Sequence, residues 1–339
     1  MRAFKIILTS VAIIGIGVLF YRSRSDTISQ KNLVNTIYAV FDEYRIPYDL
    51  DAHSVDASVS EKPLAISGID EFKKQIARYV DKSDVIQIIL VGFPFKSANT
   101  EQKVFGYLPD MAERKSLQYL QSLLNDIRKV YEPGARITIF CDGIPFAPYL
   151  GIPLAHVSAY EDGLKKLCAD LPDIQLFTSD DFMKMRNLKN SAAINEFIDA
   201  YPPSDEEFRK LGPLSPVTLQ RIAIELDHAA GKKLLEKQSL ESIVFSIVSR
   251  EARMRNYILE QFPPSQYIRF TVHFSPDISK KFGVRLSPDS AVTPYHGVCV
   301  EYADKTWAIT FKKDVNTQQC RETSTIVNEV LCPFYMCEK

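Results

Sequence analysis

A largely apolar run, Val85 to Val91, constrains the fold of this 339-residue chain more than any other segment. Its length and β-branched content are typical of a strand buried on both faces, as in a parallel sheet. The polar residues Lys96, Ser97 and Asn99 follow within a few positions. Because open α/β sheets bind ligands beyond the carboxyl ends of their strands, this junction is the first candidate for a functional site.

The segments on either side of this run alternate between helical and strand patterns. After the first strand, helical spacing predicts a long helix from Asp110 to Tyr131, closed by Pro133-Gly134, and then a buried strand from Arg136 to Cys141. Further predicted helices are Lys31–Arg45, Ile69–Val80, Tyr160–Leu171 and Leu240–Phe262; predicted strands are Ile174–Thr178, Tyr267–Phe274 and a hairpin of Val298–Tyr302 with Thr306–Phe311. This order predicts an α/β protein with a Rossmann-like, mostly parallel sheet, flanking helices and a C-terminal β-hairpin region.

Composition favours a globular protein that acts on small molecules. Hydrophobic residues make up 46% of the chain and charged residues 24%, which is typical of globular domains. The net charge of -1 argues against a nucleic-acid-binding surface, so no nucleic acid partner is predicted. We predict a single α/β catalytic domain over residues 26–339, with a helical middle section at about 180–262.

Residues 1–25 are predicted to be an N-terminal hydrophobic anchor or signal-like segment. Residues 6–21 carry no charge, and as a helix they would span about 24 Å, short of a hydrocarbon core of about 30 Å. Phe20 and Tyr21 stand where a cleavable signal would have small residues, so an uncleaved membrane anchor is favoured. A cleaved signal peptide and a mis-assigned start codon remain alternatives.

The six cysteines are predicted to be free thiols. The late cysteines lack paired CxxC motifs and a nearby histidine, which argues against a zinc site, and a disulfide would need an oxidising compartment. The residues concerned are Cys141, Cys168 and Cys299, in apolar surroundings, and Cys320, Cys332 and Cys337, near the end of the chain.

Two lysines and two neutral polar residues share the loop after the first strand: Lys96, Ser97, Asn99 and Lys103. Such a set could bind a phosphate or a carboxylate through charge-assisted hydrogen bonds. A solvated loop is the structural alternative. The loop is not a Walker A motif, because GxxxxGK[ST] is absent from the chain.

Three carboxylates lie near the same predicted edge of the sheet. Asp110 and Glu113 open the long helix, where acidic residues commonly offset the helix dipole. Asp142 follows the second strand and could orient an amine or a lysine, although an Asp-Gly turn explains it equally well.

The helix that begins at Leu240 places charges beside an apolar stripe. At 100° per residue, Glu251 projects near the middle of that stripe, with Arg250 and Arg255 toward its margins. An internal pair of Glu251 and Arg255, spaced i,i+4, is the structural interpretation. A ligand-facing arginine is the functional one.

Two histidines are candidates for acid–base chemistry, since imidazole titrates near neutral pH. His273 falls inside the strand predicted from Tyr267 to Phe274, and His296 precedes Gly297, which permits close backbone approach. A non-haem iron site usually contains an HxD/E pair, which the sequence lacks, so no metal is predicted. Neither a GxSxG elbow nor a GxGxxG fingerprint is present.

Several segments together resemble one family, the pyoverdine-chromophore and dityrosine biosynthesis proteins, or isocyanide synthases. Two of them, at Phe93 to Asn99 and Thr293 to Gly297, are similar to the family signatures FPxKSxN and TP(W/Y)HG. The other matching segments are Lys103 to Glu113, Pro133 to Ala135, Asp142-Gly143, Arg250, Phe262-Pro263, His273 and Lys281 to Val284.

The resemblance implies a Rossmann-like core without a bound dinucleotide. It also implies an isonitrile-forming lyase or transferase of secondary metabolism, which condenses the amine of tyrosine or tryptophan with ribulose 5-phosphate and needs no metal or redox cofactor. An iron/2-oxoglutarate oxygenase often acts on the product of such enzymes. Alternatives are an N-formyl-tyrosine-forming enzyme, as in the dityrosine branch, another phosphosugar-dependent enzyme, and a non-catalytic membrane-tethered homologue.

Given the resemblance, we assign provisional roles to the candidate residues. Lys96, Ser97 and Lys103 are predicted to bind the sugar phosphate, and Arg250 an anionic group of a substrate. Proton transfer falls to His273 and His296, and the amine is held by Asp142 or Glu113. The remaining predicted substrate-binding residues are Asn99, Asp110, Arg255, Lys281 and Tyr295. Because ribulose 5-phosphate is cytosolic, the catalytic part is predicted to face the cytoplasm, with or without an anchor.

Overall fold

A five-stranded parallel sheet forms the centre of the protein. The computed structural model describes residues 29–47, 66–203, 216–290 and 292–338. The strands of the sheet are β1 (Ile86–Val91), β2 (Ala135–Phe140), β3 (Ile174–Phe177), β4 (Ile268–Thr271) and β5 (Phe282–Gly283). They are ordered β3-β2-β1-β4-β5 and every adjacent pair is parallel. The predicted parallel α/β sheet is confirmed.

The strand order reverses direction between β1 and β4. The chain runs outward through β2 and β3 on one side of β1, and later through β4 and β5 on the other. Connections that leave the sheet on opposite sides open a crevice at the carboxyl ends of the two central strands. The loop after Val91 and the segment after Thr271 therefore border the same crevice.

Helices cover the sheet and join its strands. In chain order they are α1 (29–43), α2 (Ile69–Val80), α3 (Met111–Val130), α4 (Gly143–Phe146), α5 (Leu154–Leu167), α6 (Ser179–Arg186), α7 (Ser191–Ala200), α8 (Pro216–Glu225), α9 (Ala229–Leu235) and α10 (Leu240–Gln261). Helix α3 begins at a capping box, in which the Asp110 side chain accepts from the backbone of the first turn and Glu113 accepts from the backbone of Asp110. The predicted long helix is thus confirmed, with Asp110 as its cap.

A second sheet of four strands follows the central sheet in the chain. Its strands are β6 (Val298–Tyr302), β7 (Trp307–Thr310), β8 (Cys320–Val327) and β9 (Val330–Cys337), ordered β7-β6-β9-β8. The predicted hairpin is β6 with β7, an antiparallel pair. Helix α3 contacts β2 of the first sheet and both β6 and β9 of the second. Apolar side chains of α3 and of both sheets belong to one buried cluster, which holds the start of α3 in place.

The cysteine prediction is correct for four residues and wrong for two. Cys141, Cys168 and Cys299 are buried free thiols, as expected, and Cys332 is free as well. Cys320 and Cys337 instead form a disulfide. Antiparallel pairing of β8 with β9 places these two residues directly opposite each other, with their Cα atoms 4.0 Å apart. Their separation in the sequence gave no indication of this register.

Two details of the predicted elements are wrong. The strand expected to run to Phe274 ends at Thr271, so His273 lies beyond its carboxyl end rather than within it. In α10 the stripe residues Ile243, Val244, Met254 and Ile258 are buried as predicted, but Glu251, which was placed near the middle of the stripe, is exposed. Arg250, which was placed at the margin of the stripe, is buried and donates to neighbouring elements, as described below.

The predicted N-terminal anchor, residues 6–21, lies outside the described residues. Within the described ranges, none of the helices combines the length and the apolar character needed to cross a bilayer. The single-domain assignment and the bounds of the helical middle section stay predictions, and residues 204–215 of that section are also outside these ranges.

Candidate active site

Three loops meet above the carboxyl ends of β1 and β2. They are residues 92–99 after β1, the Asp142-Gly143 turn after β2, and residues 293–297 before β6. A Cβ atom on Gly143 would lie 2.0 Å from the carbonyl oxygen of Pro94, so only glycine allows the first two loops to approach so closely. The backbone N–H of Ser97 donates to the carbonyl of Tyr295 over 2.8 Å. The two segments that carry the family signatures are therefore in direct contact.

Phe93 holds the first loop in an unusual backbone conformation. Its φ angle is 55°, in the left-handed region that a residue with a bulky side chain seldom adopts. Such strain costs about 1–3 kcal/mol and persists only when packing enforces it. The Phe93 ring is completely buried and meets the ring of Tyr295 edge-on, with centroids 5.9 Å apart. Packing between the two loops thus fixes the direction in which the chain leaves β1.

Lys96 lies in the interior and connects the loops through its ammonium group. Its Nζ atom is 2.7 Å from Glu113 Oε2, 3.0 Å from Asp110 Oδ2 and 2.7 Å from the carbonyl oxygen of Pro294. None of its side chain is exposed. An ammonium has three N–H donors, and hydrogen bonds to Glu113 and to the carbonyl oxygens of Pro294 and Gly297 use all of them, with Asp110 as an ion-pair neighbour. Lys96 therefore joins the first turn of α3 to residues 293–297 and has no donor left for a substrate.

The buried group of Lys96, Asp110 and Glu113 is close to electrically neutral. Desolvation raises the pKa of Glu113 to about 8 even though Lys96 opposes it, and desolvation also raises the pKa of Asp110. Burial alone would lower the pKa of Lys96, but the two carboxylates raise it above its usual value. The Tyr160 hydroxyl donates to Glu113 Oε1 over 3.1 Å. Near pH 7 Glu113 therefore retains its proton beside the charged ammonium of Lys96.

A second charged cluster is centred on Glu225, the last residue of α8. Its carboxylate accepts a hydrogen bond from Ser97 Oγ over 2.9 Å and forms a direct ion pair with the ammonium of Lys103. Its Oε1 atom is 3.6 Å from Nε2 of His296. Desolvation opposes ionisation, but the charge of Lys103 and hydrogen bonds from Lys103 and Ser97 hold the pKa of Glu225 below its usual value. Glu225 is therefore charged and organises the polar groups of the other loops.

His296 forms the most open part of this second cluster. Its side chain is 31% exposed, compared with 14% for Glu225 and 7% for Lys103. Desolvation lowers the pKa of His296 to about 4, although Glu225 acts in the opposite direction. The Thr293 hydroxyl is 3.1 Å from Nδ1 of the imidazole. At neutral pH His296 is an uncharged imidazole that can accept a proton. The exposed His273 also influences its titration and so lies on the same side of the cleft.

Asp142 is a half-buried carboxyl at the start of α4 and makes no side-chain capping bond to that helix. Desolvation raises its pKa to about 7, and Glu251 adds to the rise. Among the residues that the structure describes, no cation forms an ion pair with Asp142. The buried phenol of Tyr295 has a raised pKa, mainly through desolvation and then through Asp142. Asp142 therefore faces the cleft beside Tyr295, with a pKa suited to proton transfer near neutrality.

The predicted Arg250 site is occupied by protein groups. Its guanidinium donates to Asp199 Oδ1 over 2.8 Å, to Asn195 Oδ1 over 2.7 Å and to the carbonyl of Pro145 over 2.8 Å. Only 8% of its side chain is exposed. These bonds fasten α10 to α7 and to α4, next to the Asp142 turn. A substrate contact by Arg250 stays a prediction, and it would require these partners to be displaced.

The remaining predicted residues lie around the two clusters or outside them. The Asn99 side chain accepts from the backbone of Gln102 and shapes the loop that leads to Lys103. Arg255 donates to Glu251 over 2.8 Å, the i,i+4 pair that was the structural interpretation of this helix. Lys281 directly precedes β5, and its backbone N–H donates to Asp277.

Sequence reasoning missed Glu225 and Arg221, both on α8. Helix α8 follows a proline-rich stretch and carries no motif, so its charges look like those of any solvated helix. Only the three-dimensional arrangement shows that Glu225 contacts Ser97 and Lys103, residues more than a hundred positions earlier in the chain. In the described ranges, no group of three or more His, Cys, Asp or Glu residues is arranged to hold a metal ion.

The arrangement of these loops agrees with a comparison against known families. The family model described as "Pyoverdine/dityrosine biosynthesis protein" matches residues 76–211 and 221–323, which include all three loops and α10. The chain belongs to this pyoverdine/dityrosine biosynthesis family. The resemblance noted from the sequence motifs is thereby confirmed.

Members of the family with assigned names match over most of their length. An L-tyrosine isonitrile synthase of Pseudomonas aeruginosa is 31% identical over 247 residues, which cover 68% of this chain and 74% of the relative. An L-tryptophan isonitrile synthase of Fischerella ambigua is 28% identical over 240 residues, 67% of this chain and 71% of the relative. The crystal structure of the PvcA protein from Pseudomonas aeruginosa superposes with a TM-score of 0.70 at 25% identity, covering 89% of this chain and all of that one. The fold of the family is therefore also the fold of this chain.

Proposed function

We propose that this protein is an isocyanide synthase that condenses the amino group of an aromatic L-amino acid with ribulose 5-phosphate to give an isonitrile. The observation that carries the proposal is the similarity to isonitrile synthases specific for tyrosine and for tryptophan over about two thirds of the chain. The meeting of both signature segments at one cleft supports it. No metal or redox cofactor is part of the proposal.

The first chemical step needs an amine that has lost its proton. The uncharged amine attacks the sugar ketone, a carbon–nitrogen bond forms, and water leaves to give an imine. Asp142, with a pKa of about 7, is suited to take the ammonium proton, and the neutral His296 is suited to move protons in later steps. Glu113 was the alternative holder of the amine, but its carboxyl is buried and engaged by Lys96, Asp110 and Tyr160. We therefore assign the amine to Asp142.

The sugar phosphate is assigned to Lys103 and Ser97. Both belong to the half-open cluster, where Glu225 orients the ammonium and the hydroxyl toward one another. Charge-assisted bonds from these groups suit a phosphate oxygen. Lys96 is given a positioning role instead, because its three donors are used inside the protein.

A direct assay tests the proposal. Purified full-length protein is incubated with ribulose 5-phosphate and either L-tyrosine or L-tryptophan, and the products are identified by mass. We expect an isonitrile with one of the amino acids and none when ribulose 5-phosphate is replaced by ribose 5-phosphate. An N-formyl product instead would support the dityrosine-branch alternative. No product with either amino acid would contradict the proposed activity and favour the non-catalytic alternative.

The pH dependence of the reaction tests the role of Asp142. Asp142 must be ionised to accept a proton, so we expect kcat/KM to rise with pH through about 7. Asp142→Asn should remove this rise and lower activity by a factor of about 100 or more. Glu161 is a matched control, because desolvation raises its pKa to about 7 as well, but its carboxylate caps α6 at Ser179. Glu161→Gln should keep the rise of kcat/KM with pH. If the wild type shows no such rise, Asp142 is excluded as the base.

The location of the protein follows as a further part of the proposal. Because ribulose 5-phosphate is a cytosolic metabolite, we propose that the catalytic part faces the cytoplasm. Membrane anchoring through residues 6–21 and use of the product by an iron/2-oxoglutarate oxygenase are further parts of this proposal. The Cys320–Cys337 disulfide is unusual for a reducing compartment. Alkylation of thiols in intact cells, followed by mass analysis, shows whether these two cysteines are oxidised where the protein works.

A further inference from the structure

Arg221 is a charged residue near the signature loops that has no ion-pair partner among the described residues. It lies on α8 four residues before Glu225, so the two side chains project from the same face of the helix. Glu225 is bound to Ser97 and Lys103 and so directs this face toward the signature loops. In the described part of the chain, the exposed guanidinium of Arg221 makes neither a hydrogen bond nor an ion pair. Its charge is therefore available to a ligand.

Arg221 and Asp142 carry opposite charges and both influence the pKa of the Tyr295 phenol. Asp142 raises the pKa of the Tyr295 phenol and Arg221 lowers it, and Arg221 also lowers the pKa of His296. Both charges therefore lie near Tyr295, and Arg221 lies near His296 as well. Like Arg221, Asp142 has no ion-pair partner among the described residues.

The other cations of the site are already compensated. Lys96 is balanced by Asp110 and Glu113, and Lys103 by Glu225. Among the described groups that act on the Tyr295 phenol, one guanidinium, that of Arg221, and one carboxyl, that of Asp142, are left without an ion-pair partner. An α-amino acid carries the complementary pair of charges, a carboxylate and an ammonium attached to the same α-carbon.

We propose that Arg221 and Asp142 bind the zwitterionic backbone of the amino-acid substrate, with Arg221 on the α-carboxylate and Asp142 on the α-ammonium. The planar guanidinium fork matches the two oxygens of a carboxylate. Asp142 then lies next to the proton that must leave before the amine attacks. The inference rests on the proposed function for its ligand class, but it concerns binding and is testable without turnover.

The test compares ligands that each lack one charge. Binding of L-tyrosine, tyramine and 3-(4-hydroxyphenyl)propionate to the full chain is measured by calorimetry, with L-tryptophan, tryptamine and indole-3-propionate in parallel. For the amino acid that the wild type prefers, loss of the carboxylate should weaken binding roughly tenfold or more. In Arg221→Gln the amino acid should bind no better than the amine that lacks the carboxylate. Arg221→Lys should retain part of the preference, since it keeps the charge but not the fork.

Asp142→Asn supplies the reciprocal measurement. It should remove the preference for the amino acid over the propionate, which has no amine, while the preference over tyramine or tryptamine remains. Lys233→Gln, which removes a cation from an exposed position of α9, controls for the change in net charge and should alter neither preference. Circular dichroism spectra that match the wild type confirm that each variant is folded.

The outcomes separate this inference from the proposed function. If Arg221→Gln keeps the full preference for the carboxylate, or if it weakens binding of ribulose 5-phosphate instead, the assignment of Arg221 is overturned even when isonitrile forms. If the binding preferences shift as expected but no isonitrile is detected, the proposed binding site is supported and the proposed reaction is contradicted. A wild type that binds neither amino acid at millimolar concentration overturns the inference outright.

Discussion

Lys96 and Lys103 belong to the same loop, yet they have opposite functions in the molecule. The side chain of Lys96 is fully buried, and its ammonium is enclosed by Asp110, Glu113 and a backbone carbonyl. The ammonium of Lys103 pairs with Glu225 beside the half-open His296. The first group holds the loops in place, whereas the second presents polar atoms to the cleft. Two lysines seven positions apart therefore differ in function because of what surrounds them.

This contrast separates residues that position the site from residues that can meet a substrate. The buried group of Lys96 has a retained proton and no free donor, so changes there should alter stability and its pH dependence. The cluster around Glu225 is partly open, so changes there should alter activity more than stability. Substitutions in the two groups test whether positioning residues and substrate-contacting residues can be told apart in this way.

The largest effect is expected from Lys96→Met. Removing the ammonium leaves Asp110 and Glu113 without a counter-charge in the interior and also removes the bond to the Pro294 carbonyl. Breaking a buried ion pair in this way costs about 3–5 kcal/mol of the free energy of unfolding. Urea-induced unfolding measures it. The matched Lys103→Met variant should lose less, because Ser97 Oγ still donates to its partner Glu225 and the half-open His296 lies beside that carboxylate. Equal losses in the two variants would remove the distinction.

Glu225→Gln is expected to have the next largest effect, and on activity. The amide keeps the shape of the side chain but no longer holds Lys103 and Ser97 by charge-assisted bonds. Misplaced substrate-binding groups should lower kcat/KM for isonitrile formation by about ten- to a hundredfold, with a smaller change in stability. Initial rates under single-turnover conditions, beside thermal unfolding, provide the comparison. An activity loss that merely follows the loss of folded protein would argue that Glu225 is structural.

The pH dependence of stability distinguishes the buried group further. The unfolded chain releases the Glu113 proton near pH 4.5, while the folded protein retains it to about pH 8. The contribution of this group to stability is therefore complete below about pH 4.5 and declines as the pH rises toward 8. The slope reaches at most about 1.4 kcal/mol per pH unit for one proton. Glu113→Gln should remove this part of the slope between pH 5 and 8. Unchanged slopes in the two proteins would show that Glu113 ionises normally in the fold.

The fold was largely predictable because its signals are local. The apolar run of β1, the amphipathic pattern of α3 and the Asp110 cap each depend on residues close in the sequence. The β6–β7 hairpin also depends on residues close in the sequence. The predictions were wrong where a residue's partner comes from another element. Cys320 bonds to Cys337 because strand register places them opposite each other. Arg250 is buried because it donates to Asp199 and Asn195 of another helix.

The candidate site was only partly predictable for the same reason. The signature segments indicated which loops carry polar groups, and Ser97, Lys103 and His296 do meet at Glu225. Whether a lysine is buried depends on the carboxylates that fold against it, which no spacing in the loop reveals. Helix α8 contributes Glu225 and Arg221 from a part of the chain without any motif. Its place in the site follows from tertiary packing alone.

The smallest effect is expected from Arg255→Gln. The pair of Arg255 and Glu251 joins Nη2 to Oε1 over 2.8 Å, with side chains that are 24% and 54% exposed. A helical i,i+4 pair in contact with water contributes about 0.5 kcal/mol or less, and less again in high salt. Urea unfolding at low and high ionic strength measures this difference. Because Arg255 is also a predicted substrate-binding residue, the same variant is assayed for isonitrile formation with Arg253→Gln, the neighbouring arginine that bonds to the Asp199 backbone, as the control. A fall in kcat/KM beyond about tenfold for Arg255→Gln alone would place its guanidinium among the groups that contact substrate, since a surface pair of this strength cannot account for it.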